Sequence, residues 1–192
     1  FTPPGFVLGL EKIHNRLRLD LSMFSPWMVK ERAKIYLYKG RETYAAGEFH
    51  PPAWSNGVAF YDRKAVVLYD QADRKKLTEI TAHEITHLLF ESYWGEVKKE
   101  PPTWLNEGLA MLEEYDGGRT PEKSDWYQGM LWMDLRQRIP LRKVVRIVPM
   151  EDLKDQKDVI TMWYEQAYSI VYFLYRQHSK LQFLNFCARL RD

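Results

Sequence analysis

The pentapeptide His83-Glu84-Ile85-Thr86-His87 sets two imidazoles four residues apart, with a carboxylate directly after the first. On an α-helix each residue advances about 100°, so residues i and i+4 lie within roughly 40° of each other and both rings reach one point. Neutral imidazoles converging in this way suit a divalent transition ion, zinc above all. Glu84 projects about 100° away from that face, which makes it a poor third ligand but places it to accept a proton from a water that such an ion polarises. In the bland alternative these are ordinary helix residues, one histidine buried and the other solvated. A third ligand decides between the two.

The run Trp104-Leu105-Asn106-Glu107-Gly108-Leu109-Ala110 opens a second helical stretch just past Pro101-Pro102, with Glu107 twenty residues after His87. Glu107 supplies the missing carboxylate. Two histidines and one glutamate leave a net charge of about +1 on the metal unit and an open fourth position, an arrangement that lowers the pKa of a bound water towards about 7. The expected cofactor is one Zn²⁺ per chain, although the same donors also take other divalent ions. Gly108 is expected to let the two helices approach closely. Glu114, seven residues after Glu107, returns to within about 20° of the same face. It reads either as a hydrogen-bond partner of a ligating histidine or as a solvated helix carboxylate.

The run Trp104 to Ala110 resembles the W-L-x-E-G-x-A signature of aminopeptidase-N-like gluzincins and of the smaller peptidase-MA-like domains, and Glu114-Tyr115 is similar to the residues downstream of that signature. With the histidine helix and the strands before it, the resemblance spans residues 54 to 118 and reaches the C-terminal helix in weaker form. It implies a zinc metallopeptidase of the gluzincin type with a zincin-like fold, acting on a peptide or protein. It also points to Tyr164, in Tyr164-Glu165-Gln166-Ala167-Tyr168, as the phenol that donates a hydrogen bond to a developing oxyanion. Tyr168, one turn later, is the substitute, and an aromatic stripe of this kind also serves as core. Gly57 to Tyr61 resembles the cleft-side edge strand that holds an extended substrate by main-chain hydrogen bonds, so Gly57, Val58 and Ala59 are expected to bind substrate.

One departure bears on specificity. Aminopeptidases of this kind carry a glutamate in a G-x-M-E-N segment before that strand, to pair with the free amine of the substrate. Here the chain reads Pro52-Ala53-Trp54-Ser55-Asn56. The loss of that anchor shifts the expectation to an endopeptidase, or to an enzyme acting on another amide. The rivals are an aminopeptidase, a catalytically silent zinc-binding or scaffold module of the same fold, and a zinc-independent structural domain.

These residues need elements to position them. Leu10, Ile13, Leu17 and Leu21 fall at helical spacing and predict an amphipathic helix over 8–21 that packs on a sheet. Residues 33–38 alternate as a strand, 41–46 form a short helix, and 57–61 with 65–69 form a hairpin around Asp62-Arg63-Lys64. Leu77, Ile80, Ile85, Leu88 and Leu89 predict a largely buried helix over 75–93. A further helix over 103–115 stops at Gly117-Gly118, 141–148 reads as extended, and the last helix covers 161–177. Strands first and helices later make an α+β domain. We expect residues 1–192 to form a single catalytic domain, with 1–93 as a small mixed-sheet lobe plus the histidine helix and 94–192 as a helical part.

At 192 residues with 45% hydrophobic content the chain suffices for one well-cored domain. A net charge of +2, with 28 basic and 26 acidic residues, announces no nucleic acid and no anionic membrane as partner. No apolar run is long enough to span a bilayer. Cys187 has no cysteine to pair with and reads as a buried, inert thiol. His14, His50 and His178 stand isolated, and the charge run Glu151 to Asp158 reads as a solvated face or loop. The start at Phe1 rather than Met suggests a processed chain, with a secreted, periplasmic or membrane-anchored origin as the expectation.

Overall fold

The computed structural model describes residues 2–52 and 54–192, without the side chain of Val29. Ala53, part of the segment that bears on specificity, lies outside the described residues. The fold is α+β, and the chain divides into two compact units, Phe1–Glu96 and Val97–Asp192.

In the first unit, helix α1 (Phe6–Leu21) buries Ile13, Leu17 and Leu21 along one stripe. Strands β1 (Lys34–Tyr38), β2 (Gly57–Phe60) and β3 (Ala65–Tyr69) form a sheet of order β1-β3-β2, and α2 (Arg41–Ala45) follows β1. The sheet is mixed, with β1 parallel to β3 and β2 antiparallel to it. The hairpin turns through Tyr61–Arg63 and closes at Lys64, whose φ of 49 is left-handed. As the central strand, β3 is buried along its whole length. Side chains alternate across it. Val67 and Tyr69 share one face with Tyr36, Tyr38, Val58 and Phe60, covered by Tyr44 and Phe49. Val66 and Leu68 take the other.

Helix α3 (Arg74–Gly95) lies against β2 and β3. It begins at Asp73, whose carboxylate accepts from the backbone N–H groups of Lys75 and Lys76. It buries residues in nearly every direction, including Leu77, Ile85, Leu88, Phe90 and Trp94. The chief partner of α1 is α3 and not the sheet, since α3 already lies against β2 and β3 and presents α1 with a helix surface.

The second unit is helical: α4 (Thr103–Glu114), α5 (Asp125–Trp132), α6 (Leu141–Val144), α7 (Pro149–Asp152), α8 (Lys157–Arg176) and α9 (Lys180–Arg191). Two expectations are corrected here. The stretch 141–148 is not extended: Pro140 stands at the N-cap of a single helical turn, held where the Trp163 indole donates to the Val144 carbonyl at 3.0 Å. The helix ending at Arg176 is not the last, because Ser179 and Gln182 form a reciprocal capping box that starts α9. Gly108 does allow a close approach, but to α8. A Cβ there would stand 2.6 Å from the Ala167 carbonyl oxygen and 2.5 Å from Val171 Cγ2.

Cys187 on α9 is fully buried, and burial pushes its thiol from 9.0 up to about 12. The unfolded chain therefore ionises first. The contribution of this thiol to stability is constant below pH 9.0 and is lost as pH rises from 9.0 towards about 12. Urea unfolding at stepped pH is expected to show this loss beginning below 10.0, the ordinary value of the tyrosines, and Cys187→Ala is expected to flatten that first part of the slope.

Candidate metal centre and catalytic groups

The buried position of α3 fixes its two histidines. His87 is buried and His83 half-buried, with the two Nε2 atoms 2.9 Å apart and the rings edge-on, centroids separated by 4.6 Å. With zinc–nitrogen distances of about 2.0–2.1 Å and tetrahedral angles, two imidazole donors on one ion stand about 3.3 Å apart. The pair therefore fits a common ion with a shift of a few tenths of an ångström. The helix also satisfies its two buried threonines. Thr81 and Thr86 donate their hydroxyls back to the carbonyls of Leu77 and Ala82, at 2.6 and 2.8 Å.

Glu84 is half-buried, and what makes room for it is a missing side chain. A Cβ on Gly57 would lie 2.7 Å from Glu84 Cγ and 2.6 Å from Leu68 Cδ2. Gly57 and Leu68 are register partners, which puts Gly57 on the sheet face that meets α3. The resemblance picked out Gly57 for its backbone, whereas the structure shows a second reason for glycine here. Val58 points to the opposite, aromatic face, and β2 pairs only with β3 among the described strands.

The loop before β2 is tied down at two points. Tyr44 and Ser55 share a hydroxyl hydrogen bond of 2.7 Å, and Ser55 Oγ donates to the Pro52 carbonyl at 2.8 Å. Tyr69 donates its phenol to Asn56 Oδ1 at 2.8 Å. Burial raises the pKa of Tyr44, and the negative charge of Glu84 adds to the rise. This phenol therefore stays protonated beside the carboxylate.

In the second unit, α4 carries the half-buried Glu107 and α8 carries Tyr164. The pKa of Tyr164 is raised, chiefly by burial and further by the charge of Glu107, so its phenol remains a hydrogen-bond donor. Its ring packs on Trp126, centroids 6.0 Å apart, and edge-on against Trp163 at 5.0 Å. Trp126 is fixed in turn, since its indole N–H donates to Glu114 Oε2 at 2.7 Å. Tyr168 is fully buried and stacks on Tyr172 at 5.9 Å. Burial pushes its phenol up to about 12, and Glu107 is not among the charges acting on it. Of the two tyrosines, Tyr164 is the one that senses Glu107.

Trp126 escaped the sequence reading, as one tryptophan among seven with no motif around it. His14, His50 and His178 are exposed.

These features define an α+β protein that presents a metal-type histidine pair on a buried helix, with a carboxylate between the two histidines. Residues 21–192 match the sequence model of the Peptidase MA superfamily. The chain belongs to that superfamily, which supports a metallopeptidase-like function in general terms. No solved structure matches the chain.

Two glycines give opposite expectations. Gly9 lies within α1, and a methyl group added there would have nothing within 4 Å, so Gly9→Ala is expected to stabilise by about 0.5–1 kcal/mol. Gly57→Ala is expected to destabilise by about 1–3 kcal/mol through overpacking against Glu84 and Leu68. Denaturant unfolding of the two variants checks both signs.

Proposed function

We propose that this protein is a zinc-dependent peptidase that cleaves internal peptide bonds, with one Zn²⁺ held by His83, His87 and Glu107. The observation that carries the reading is the imidazole pair, whose Nε2 atoms are 2.9 Å apart, with Glu84 seated next to it in the space left by Gly57. Membership of the superfamily over residues 21–192 supports it independently. Zinc in such a site supplies Lewis acidity, making a water more acidic and a carbonyl more electrophilic.

The chain's own groups perform the rest. Glu84 takes the proton of the attacking water and delivers it to the leaving amine. Tyr164 donates its phenolic hydrogen to the carbonyl oxygen as negative charge develops there, and its raised pKa keeps that proton in place. Gly57, Val58 and Ala59 lie on a strand with one open edge, able to align an extended peptide by main-chain hydrogen bonds. Glu114 holds Trp126, whose ring backs Tyr164, so its part is to position the donor. No carboxylate side chain occurs between Pro51 and Asn56 to meet a free amine, which favours internal cleavage over removal of an N-terminal residue.

Three variants separate these roles. Glu107→Ala is expected to lose metal in mass spectrometry of the purified chain. Glu84→Gln is expected to keep the ion and lose activity on a blocked peptide library by about 10²–10⁴-fold. Tyr164→Phe is expected to keep the ion, leave KM nearly unchanged and lower kcat by about 10²-fold. Undiminished cleavage by Glu84→Gln would remove the proposed chemistry.

A further inference from the structure

The net charge of +2 conceals a local concentration. Residues 131–150 carry five cations, Arg136, Arg138, Arg142, Lys143 and Arg146, against one anion, Asp134, so this stretch alone is +4. All five cations are exposed. Large apolar side chains stand out among them: Trp132 is 85% exposed, Leu135 69%, Leu141 59% and Leu131 57%. The whole-chain charge, which announced no anionic membrane as partner, does not describe this stretch.

The stretch is held, not loose. The Gln166 side chain bonds both the N–H and the carbonyl of Ile139, each at 2.8 Å, and the Trp163 indole bonds the Val144 carbonyl at 3.0 Å. Ile139 and Val144 are buried, while Leu141, Arg142 and Lys143 between them are exposed. Helix α8 thus grips the inner side of this segment at two points. The cations and the leucine remain on its outer side.

We propose that this face docks on an anionic lipid surface. Such a surface satisfies both features together: lipid headgroups attract the cations, and the interfacial zone accepts tryptophan and leucine. A soluble polyanion answers the charge but offers nothing to bury Trp132 and three leucines. A second copy of the same face would set +4 against +4. The docking is peripheral, in keeping with a fold in which no helix among the described residues is long and apolar enough to cross a membrane.

The test is sedimentation of the full chain with vesicles of phosphatidylcholine alone and with equimolar phosphatidylglycerol. The expected result is binding to the anionic vesicles only, weakened by salt. The variant Leu131→Ala/Trp132→Ala/Leu135→Ala is expected to bind more than about tenfold more weakly. The variant Arg136→Gln/Arg138→Gln/Arg142→Gln/Lys143→Gln is expected to lose about a hundredfold or more. Every substituted side chain is exposed, and the bond from Arg136 to Asp134 uses its backbone N–H, so helical circular dichroism is expected to be unchanged. Absence of binding to anionic vesicles overturns the proposal. So does full binding by the apolar variant, since it would mark an attraction to any polyanion.

Discussion

A helix buried on nearly all sides has little tolerance for polar groups, and α3 carries two histidines and a glutamate in five residues. The threonines, histidines and glutamate at its centre are each given a place. The threonine hydroxyls bond back onto their own helix, and the imidazoles turn towards each other at 2.9 Å. The glutamate occupies the volume that a side chain at Gly57 would fill. Packing around α3 thus holds the two donors before any ligand does so. A donor pair fixed in this way loses little conformational entropy on binding an ion, which favours affinity and a defined geometry.

Helix α8 organises the second unit in a comparable way. Four consecutive residues, about 100° apart, each face a different neighbour. Trp163 holds α6 through the Val144 carbonyl, and Tyr164 lies in the field of Glu107. Glu165 packs where a side chain on Gly129 would stand, its pKa raised by burial, and Gln166 clamps Ile139 through both backbone groups. The phenol is therefore braced on both sides by residues with structural bonds of their own. Its orientation does not depend on a mobile loop.

Local patterns were legible in the sequence. The histidine spacing, the buried helix around it, the hairpin and the glycine stop after α4 each follow from residues within one or two turns of one another, and the structure contains each of these elements. Features set by distant pairings were not legible. The steric role of Gly57 depends on its register with Leu68 and on α3 lying across that face, and neither is encoded near residue 57. Trp126 gains its place only because Glu114, twelve residues earlier, and Tyr164, on another helix, converge on it. The error at 141–148 has the same origin. A single turn is too short to display a helical period, and what decides its conformation is Trp163, nineteen residues after Val144.

The tied loop before β2 gives the proposed specificity a physical basis. Tyr44 with Ser55, and Tyr69 with Asn56, fix the two residues that lead into β2, so a side chain there cannot readily swing in to meet a substrate terminus. The phenol of Tyr44 stays protonated next to Glu84 and adds no negative charge to attract an ammonium group. On the proposed reading, an incoming peptide is therefore held by its backbone along β2. Recognition of that kind is indifferent to how far the scissile bond lies from the chain end, which is what cleavage at internal positions requires.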